Sequence, residues 1–261
     1  MLQNNLQVLP FYDSLEKQHH RKPYTFGQAY PLIASTSSIL PFQVTLDLES
    51  NNEVSFFMAA IVYLDNPAML QPITQEFLSG STILPDNSSG KSIVTWSAPT
   101  LLSLQQGLAY LSIVDRSGTS YYSEVFCLVD DLSKYIRLDW WDNDDEGNPG
   151  FIHTVYIDSM VGRPKYELDE EGTDRDGYFF VEKQISKKIH KFSFVAPEYL
   201  CDALRVVPMA DNIQITFNGD TYNCDRIVIE PEWEEQGDLA SVEVEFTTGT
   251  VVKKIAAGWP K

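Results

Sequence analysis

The sequence lacks the local motifs by which many enzymes, membrane proteins and secreted proteins are recognised. It has no Gly-x-Ser-x-Gly elbow, no Gly-x-x-x-x-Gly-Lys phosphate loop and no His-Glu-x-x-His pair. No apolar run reaches the roughly 20 residues that span a bilayer, and residues 1–10 lack the basic start and apolar stretch of a secretion signal. We therefore expect a non-enzymatic protein, made in a cytoplasm without a signal peptide, that is not inserted in a membrane and needs no cofactor.

Basic residues are also scarce. The chain has 19 Lys and Arg against 37 Asp and Glu, so its formal charge is −18 and its pI is near 4.5. Phosphate binding requires clustered Lys and Arg, so this balance argues against nucleic acid as a partner. The acidic charge serves either solubility or docking onto basic surfaces of partner proteins.

Cysteine and histidine are too few and too scattered for the common disulfide and metal frameworks. The three cysteines form no Cys-x-x-Cys pair, and the four histidines form no His-x-x-x-His pair. We expect Cys127, Cys201 and Cys224 to be small buried hydrophobic residues, and we expect no metal site.

What the sequence does contain is the pattern of strands. Ala240, Val242, Val244 and Phe246 alternate with polar residues, which is typical of a strand with one buried and one wet face. Other apolar patterns predict strands at residues 42–48, 54–64, 93–96, 107–114, 119–129, 135–141, 151–157, 178–185, 189–194, 213–217, 221–229 and 250–255. Residues 79–92 are rich in Ser, Pro, Asn and Gly, which predicts a surface loop. The predicted fold class is mainly β.

Three parts are predicted along the chain. Residues 1–25 show no sustained pattern and indicate an extended N-terminal arm. Residues 26–132 contain short strands separated by turns, which favours an immunoglobulin-like β-sandwich. Residues 133–261 predict a second, antiparallel β-rich assembly domain with one short helix, which starts with Pro197 at its first position and ends before Pro208.

The predicted arm differs in charge from the acidic remainder. Lys17, Arg21 and Lys22 form a basic cluster, so we expect the arm to dock on a neighbouring subunit. The alternative is that the arm folds back as an edge strand of its own domain. Deletion of residues 1–22 would preserve the melting temperature in the first case and unfold the protein in the second.

The second domain contains two further local signals. The pair Asn218-Gly219 stands between two strand patterns, and both residues accept the positive φ of a type I′ turn. In the strand that follows, the alternation slips by one residue near Asp225, which predicts a β-bulge.

Two acidic stretches are candidates for chemistry. Residues 142–147 match the start of an EF-hand calcium loop, but His153 occupies the position of the bidentate Glu. We therefore interpret residues 142–150 as a solvated turn, with weak calcium binding as the alternative. The second stretch, Glu167, Asp169, Glu170, Glu171, Asp174 and Asp176, supplies carboxylates of the kind used in glycoside hydrolysis, but Asp176-Gly177 is more typical of a hairpin turn.

Tryptophans are the remaining interface candidates. Trp140 and Trp141 are neighbours on a predicted strand, so one indole should lie in the core and the other at the surface or an interface. A sugar-stacking platform that includes Trp141 and Tyr121 is the alternative. Trp233 stands within a cluster of glutamates, 230–235, which we interpret as a charged edge that discourages stray strand pairing.

Two segments of the chain carry a resemblance to known proteins. The first is GLAYLSIVD at residues 107–115 with its continuation at 122–126, YSEVF. The second is IEPEW at residues 229–233 with LASVEVEF at 239–246. Both segments resemble proteins of tailed bacteriophages and prophages of Bacteroides-type hosts. The resemblance implies a structural component of the virion, of the tail or its hub, present in repeated copies, and it brings no active site.

We therefore expect a structural subunit of a phage tail, baseplate or neck. It would be located in the virion and assemble with copies of itself and with other virion proteins, through β edges, the N-terminal arm and acidic surfaces. The first alternative is a module that recognises a host-surface glycan or protein. The second is an enzyme that acts on polysaccharide.

Overall fold

The computed structural model describes residues 9–18, 32–36, 40–47, 56–67, 70–73, 82–86, 91–98, 104–115, 118–144, 147, 149–150, 152–233 and 239–254. Within these residues the protein is mainly β, as predicted. The described residues form two seven-stranded sheets, one three-stranded sheet and one short α-helix.

Ten strands lie in the described residues of the first half of the chain. They are β1 (Phe11–Tyr12), β2 (Leu32–Ser35), β3 (Leu40–Asp47), β4 (Phe56–Tyr63), β5 (Leu70–Ile73), β6 (Thr82–Asp86), β7 (Lys91–Ala98), β8 (Gly107–Asp115), β9 (Ser120–Ser123) and β10 (Phe126–Val129). Strand β8 is central to the first large sheet, because it pairs with β4, β9 and β10, all antiparallel. The sheet is completed by β5 beside β4, β1 beside β9 and β2 parallel to β10. Strands β3, β7 and β6 form the small sheet, in that order.

The second half of the chain forms the second large sheet. Its strands are β11 (Ile136–Trp141), β12 (His153–Ile157), β13 (Lys165–Arg175), β14 (Tyr178–Pro197), β15 (Asn212–Phe217), β16 (Asp220–Trp233) and β17 (Leu239–Lys254), and the helix α1 (Glu198–Leu204) follows β14. The strand order is β12-β11-β15-β16-β17-β14-β13, with every pair antiparallel. The two large sheets therefore divide between Val129 and Ile136. The domain limits and the immunoglobulin-like assignment of the first part stay predictions.

A single hydrophobic cluster joins the two large sheets. Leu111 and Phe126 of the first sheet and Val242 and Phe246 of the second belong to it, and all four side chains are fully buried. The second sheet contributes one face only, because the residues between these on β17, such as Glu243, point to solvent. This confirms the alternation predicted for residues 240–246.

The described part of the N-terminal segment departs from the expectation of an extended arm. Leu9 is buried in the core, and β1 pairs with β9 at the edge of the first sheet. The side-chain amide of Gln18 donates a 2.6 Å hydrogen bond to the Ser123 carbonyl, and the Tyr12 hydroxyl donates to the carboxylate of Glu124. Residues 9–18 thus adopt the alternative arrangement, an edge strand of their own sheet, because they offer apolar and hydrogen-bonding groups that the sheet buries.

Four element predictions for the remaining chain were wrong in their limits. The separate strand predicted at residues 250–255 is the end of β17, Leu239–Lys254. The predicted loop at residues 79–92 contains strand β6, which pairs with β7. The predicted strand at 119–129 is two strands, β9 and β10, with the buried Glu124 between them. The two strands predicted at 178–185 and 189–194 are one strand of 20 residues, β14, because Lys187 and Lys188 continue it rather than form a turn.

The predicted turns and bulge are confirmed. Asn218 and Gly219 have φ values of 53° and 86° and connect β15 to β16, whose first pair is Phe217 with Asp220. Between β16 and β17 the register shifts between Cys224 and Arg226, where the alternation of the sequence slips. The helix differs in detail, since Pro197 is its N-cap and a short 3₁₀ turn, Val207–Met209, follows it.

Candidate interaction surfaces

A long hairpin extends one end of the second sheet. Strands β13 and β14 are joined by Asp176-Gly177, whose φ values of 54° and 81° fit a two-residue turn. Beyond Lys183, which pairs with Lys254, no described strand lies beside β14 except β13. We call residues 165–188, together with residues 251–254 of β17, the finger, and the rest of the molecule the body.

The register of the three strands determines which side chains share a face of the finger. Leu168 of β13 pairs with Ser186 of β14, which pairs with Val251 of β17. Four residues further along β14 on the same face lies His190, which is buried in the body. This face of the finger is therefore continuous with the buried face of the sheet, and we call it the core-side face. The opposite face is the outer face.

An extra residue in β14 near the tip changes which of its side chains lie on the core-side face. The register of β13 and β14 shifts between Glu171 and Gly172, where β14 is one residue longer. Phe179 pairs with Asp174 and lies on the core-side face. Its ring covers Gly172, since it lies 3.0 Å from the position that a Cβ at residue 172 would occupy. Phe180, the next residue, lies on the outer face.

Apolar side chains on the finger are exposed on both faces. On the core-side face they form a base cluster, Tyr166, Leu168 and Val251, and a tip cluster in which the exposed Phe179 lies beside the partly buried Val181. On the outer face Tyr178, Phe180 and Val252 are at least half exposed. Contiguous exposed apolar residues of this size mark an interaction surface more often than ordinary surface.

The second acidic stretch of the sequence is the charged ladder of the finger. The Lys187 ammonium lies 2.5 Å from an Asp169 oxygen, and the Lys183 ammonium lies 2.9 Å from a Glu171 oxygen, both across the hairpin on the outer face. On the core-side face the Gln184 amide donates to Glu170. These carboxylates are held in exposed ion pairs and hydrogen bonds, so their arrangement gives no support to glycoside hydrolysis.

His190 marks the place where the finger joins the body. Its ring stacks on Phe246 with centroids 5.0 Å apart and lies near the rings of Phe217 and Tyr222. The side chain is buried, and neither ring nitrogen has a hydrogen-bond partner among the described residues. Burial, helped by the charge of Lys188, lowers the pKa of His190 below its ordinary value.

A cleft of about 490 Å³ lies at the end of β11. Four strands separate β11 from β13 in the second sheet, so the cleft is remote from the finger. Trp140 is buried and stacks on His153 with centroids 5.2 Å apart, while Trp141 is partly exposed. This confirms that one indole of the pair is in the core and the other at the surface. The exposed side chains of Val206 and Met209 line the cleft opposite the acidic loop.

The acidic loop beside this cleft is tied to β15. The Asp211 backbone N–H donates to the Asp142 carboxylate at 3.1 Å, and the Asn143 N–H donates to the Asp211 carboxylate at 3.0 Å. The Asn212 amide donates to the Asn143 side-chain oxygen. The first EF-hand position, Asp142, thus accepts a backbone hydrogen bond that fastens the loop to its neighbour.

Lys17 and Trp233, the other predicted interface residues that the structure describes, are not brought together. Lys17 forms an exposed ion pair with Asp13, while Arg21 and Lys22 lie outside the described residues. Trp233 is partly exposed at the end of β16, where it pairs with Ala240, and it does not line the cleft. Tyr121 lies in the first sheet, so it does not extend the surface around Trp141.

The three cysteines are free and half-buried. Burial raises the pKa of the Cys201 thiol to about 11 and that of Cys224 to about 12, and it raises the pKa of Cys127 as well. They therefore remain protonated near neutral pH and behave as small apolar residues that are only partly buried.

The finger is the surface that sequence reasoning missed. Its strand β13 consists largely of charged residues, and the aromatic run at residues 178–180 resembles an ordinary core strand. The available signal was the pairing of acidic residues 167–171 with basic residues 183–187 across the Asp176-Gly177 turn.

No protein-family model matches the chain, and no curated protein matches it. Among the described residues no group of three or more His, Cys, Asp and Glu side chains is placed to hold a metal ion. In the same part of the chain, every helix is too short or too polar to cross a membrane.

Proposed function

We propose that this chain is a non-enzymatic structural subunit of a phage virion, in the tail, baseplate or neck, assembling with copies of itself and with other virion proteins. The observation that carries the assembly role is the finger, which exposes apolar side chains on both faces beyond the body. The virion setting comes from the likeness of residues 107–126 and 229–246 to phage proteins.

The finger supports an assembly role because its apolar side chains contribute little to stability while they remain exposed to solvent. A two-stranded ribbon is marginally stable in water, and Tyr178, Phe179 and Phe180 at its tip are all more than half exposed. Full burial of such side chains against a partner contributes about 1.5–3 kcal/mol each. Binding would therefore order the tip and bury its aromatic residues in one step.

The free edge of β13 offers a second mode of contact. Among the described strands, β13 pairs only with β14. Its outer backbone N–H and C=O groups are therefore able to accept a further strand from a partner protein. Glu167, Asp169 and Glu171 along this edge disfavour an identical acidic strand and favour one with basic residues.

The assembly role is tested in a phage that encodes the chain. We expect Tyr166→Ser with Leu168→Ser and Phe179→Ser to leave the fold intact and to remove the chain from purified particles. The matched control is Val206→Ser with Met209→Ser, which changes exposed apolar residues of the cleft and should not alter incorporation. Absence of the unaltered chain from purified particles would contradict the proposed function. Normal incorporation of the finger variant would contradict the role of the finger.

Recognition of a host-surface glycan is the second candidate, and one observation favours it. The partly exposed indole of Trp141 stands in a cleft with Asn143 and Asp144, a combination that stacks on a sugar ring and accepts its hydroxyl hydrogens. Glycan-array binding that is lost in Trp141→Ala and kept in Trp233→Ala would support this candidate. Binding that is absent, or that is equal in both variants, would count against it.

A further inference from the structure

The finger differs from the body in its charge. By sequence, residues 165–188 and 251–254 contain seven Lys and Arg and seven Asp and Glu, so their formal charge is zero. The body therefore carries the whole −18 of the chain. Two copies repel each other through their acidic bodies, whereas the finger adds no net charge to that repulsion.

The core-side face of the finger is also shaped for a slender partner. The body stands on this side of the sheet, because Phe192, Phe246 and their neighbours pack there against residues of the first sheet. A broad partner would collide with the body at the base of the finger. The finger of a second copy that runs antiparallel avoids this collision. Its tip reaches the base of the first finger, while the body of the second copy lies beyond the tip of the first finger.

The distribution of side chains along this face suits the antiparallel arrangement. The base and tip clusters are separated by one polar row, in which Gln184 is paired with Glu170 on one side and Lys253 on the other. A two-fold axis along this row places the tip cluster of each copy on the base cluster of the other. The polar row then meets its own counterpart, and its formal charge is zero.

We propose that the core-side face of the finger binds the same face of a second copy of this chain, with the two fingers antiparallel. This inference rests on the proposed assembly function and names its partner and surface. Such a contact is isologous and closes as a dimer.

The contact should be weak in isolation. Aromatic side chains bury about 150–250 Å² each, so the partly exposed clusters bury on the order of 400 Å² per copy, below the roughly 800 Å² per partner of stable complexes. When many copies are held together in an assembly, such weak contacts bind with a higher overall affinity, although no new type of contact forms.

Sedimentation equilibrium of the purified full-length chain tests the inference with a matched pair of variants. Phe179 and Phe180 are neighbours, and each is 53% exposed, but they lie on opposite faces. We expect a concentration-dependent dimer that is lost in Phe179→Ser and kept in Phe180→Ser. A monomer at every concentration, or equal effects of the two substitutions, would overturn the inference.

Salt provides an independent readout. Raising salt from about 0.1 M to about 1 M shortens the Debye length from about 10 Å to about 3 Å, which screens the repulsion between the two acidic bodies. Because the contact itself is apolar, we expect the dimer to strengthen. Weakening with salt would indicate an ion-paired contact and would contradict the proposal.

A charge swap tests the antiparallel arrangement itself. Leu168→Lys alone and Val181→Glu alone should each abolish the dimer, since each places a charge in an apolar contact, and both residues lie one row from the proposed two-fold axis. The chain that carries both substitutions should recover it, because each Lys then meets a Glu of the other copy. Failure of the double variant to recover would exclude this arrangement.

The outcomes separate this inference from the proposed function. A strictly monomeric chain that still enters phage particles would overturn self-association through the finger and leave the structural role standing. A chain that dimerises as described but is absent from purified particles would leave the surface standing and overturn the structural role.

Discussion

The two halves of strand β14 have similar composition and opposite surroundings. In the half that lies in the body, Phe192, Phe194 and Ala196 are buried by the first sheet. In the half that lies in the finger, Phe179 and Phe180 are more than half exposed. Both halves belong to one continuous strand, in which β13 pairs with residues 178–189 and β17 pairs with residues 183–197.

This difference separates the residues that hold the fold from those that are free to contact a partner. Burial of apolar area is the main stabilising contribution to folding, and the finger receives little of it. The finger is instead ordered by backbone pairing, a two-residue turn and exposed ion pairs, which contribute modestly. Substitutions in the body should therefore change stability, and substitutions in the finger should change association.

The largest contrast is expected between Phe246→Ala and Phe179→Ala. Phe246 is fully buried and its ring lies within 6.1 Å of those of Phe192 and Phe217, so its truncation should lower the free energy of unfolding by about 3–5 kcal/mol. Phe179→Ala should lower it by less than about 1 kcal/mol, because the ring is mainly in solvent. Urea denaturation measures both, and equal losses would show that the finger is part of the cooperative core.

The two type I′ turns provide the next comparison. Gly219 and Gly177 have φ values of 86° and 81°. At both residues, no neighbouring atom lies within 4 Å of the position that a Cβ would occupy. Valine at either position therefore introduces only backbone strain, of about 1–3 kcal/mol. We expect Gly219→Val to lower the melting temperature clearly and Gly177→Val to lower it less, because the finger tip opens locally without unfolding the body. An unchanged melting temperature for Gly219→Val would count against this assignment.

The junction residue His190 should make stability depend on pH. Burial lowers its pKa in the folded state below the ordinary 6.5, so protonation favours the unfolded chain. Its contribution is complete above about pH 6.5 and is lost as the pH falls toward the folded-state pKa. His153, whose pKa is also lowered by burial, adds a loss in the same direction.

Replacement of the imidazole isolates this contribution. His190→Phe removes two buried nitrogen atoms without hydrogen-bond partners and should raise the free energy of unfolding by about 1 kcal/mol. The variant should also lose less stability between about pH 7.5 and about pH 5.5, where an ordinary histidine titrates. Denaturation at the two pH values checks both expectations, and an unchanged pH dependence would contradict the assignment to His190.

The smallest effect is expected in the ladder of the finger. Lys187→Ala removes an exposed ion pair with Asp169 and should change the free energy of unfolding by less than about 1 kcal/mol, as exposed pairs usually do. The effect should shrink further in high salt. A loss as large as that of a core substitution would mean that the ladder, rather than apolar burial, orders this end of the sheet.

The sequence was sufficient to predict an element where the burial of its side chains follows from the local pattern of residues. The alternation of residues 240–246 predicted β17 because a half-buried strand requires that period. Asn218-Gly219 predicted its turn because both residues tolerate positive φ. The adjacent tryptophans predicted one buried and one exposed indole, and Trp140 is the buried one because it shares a face of β11 with Ile136 and Leu138.

Where the environment depends on distant residues, the sequence was not sufficient. Strand β13 escaped prediction because its acidic residues disfavour a strand until Lys183 and Lys187 are placed opposite them. Strand β1 has only two residues, which is too short for any period to appear. Phe179 is exposed because the hydrophobic cluster between the two large sheets does not extend to the finger, which no pattern near residue 179 reveals.

Hydrogen exchange along β14 tests most directly the claim that one half of this strand holds the fold while the other contacts a partner. In the free chain, amides of residues 190–196 should exchange slowly and those of residues 178–182 quickly. On assembly, the account predicts that the finger amides become protected while those of the body do not change. Equal protection of both halves in the free chain, or an assembled state in which the finger exchanges as fast as before, would contradict it.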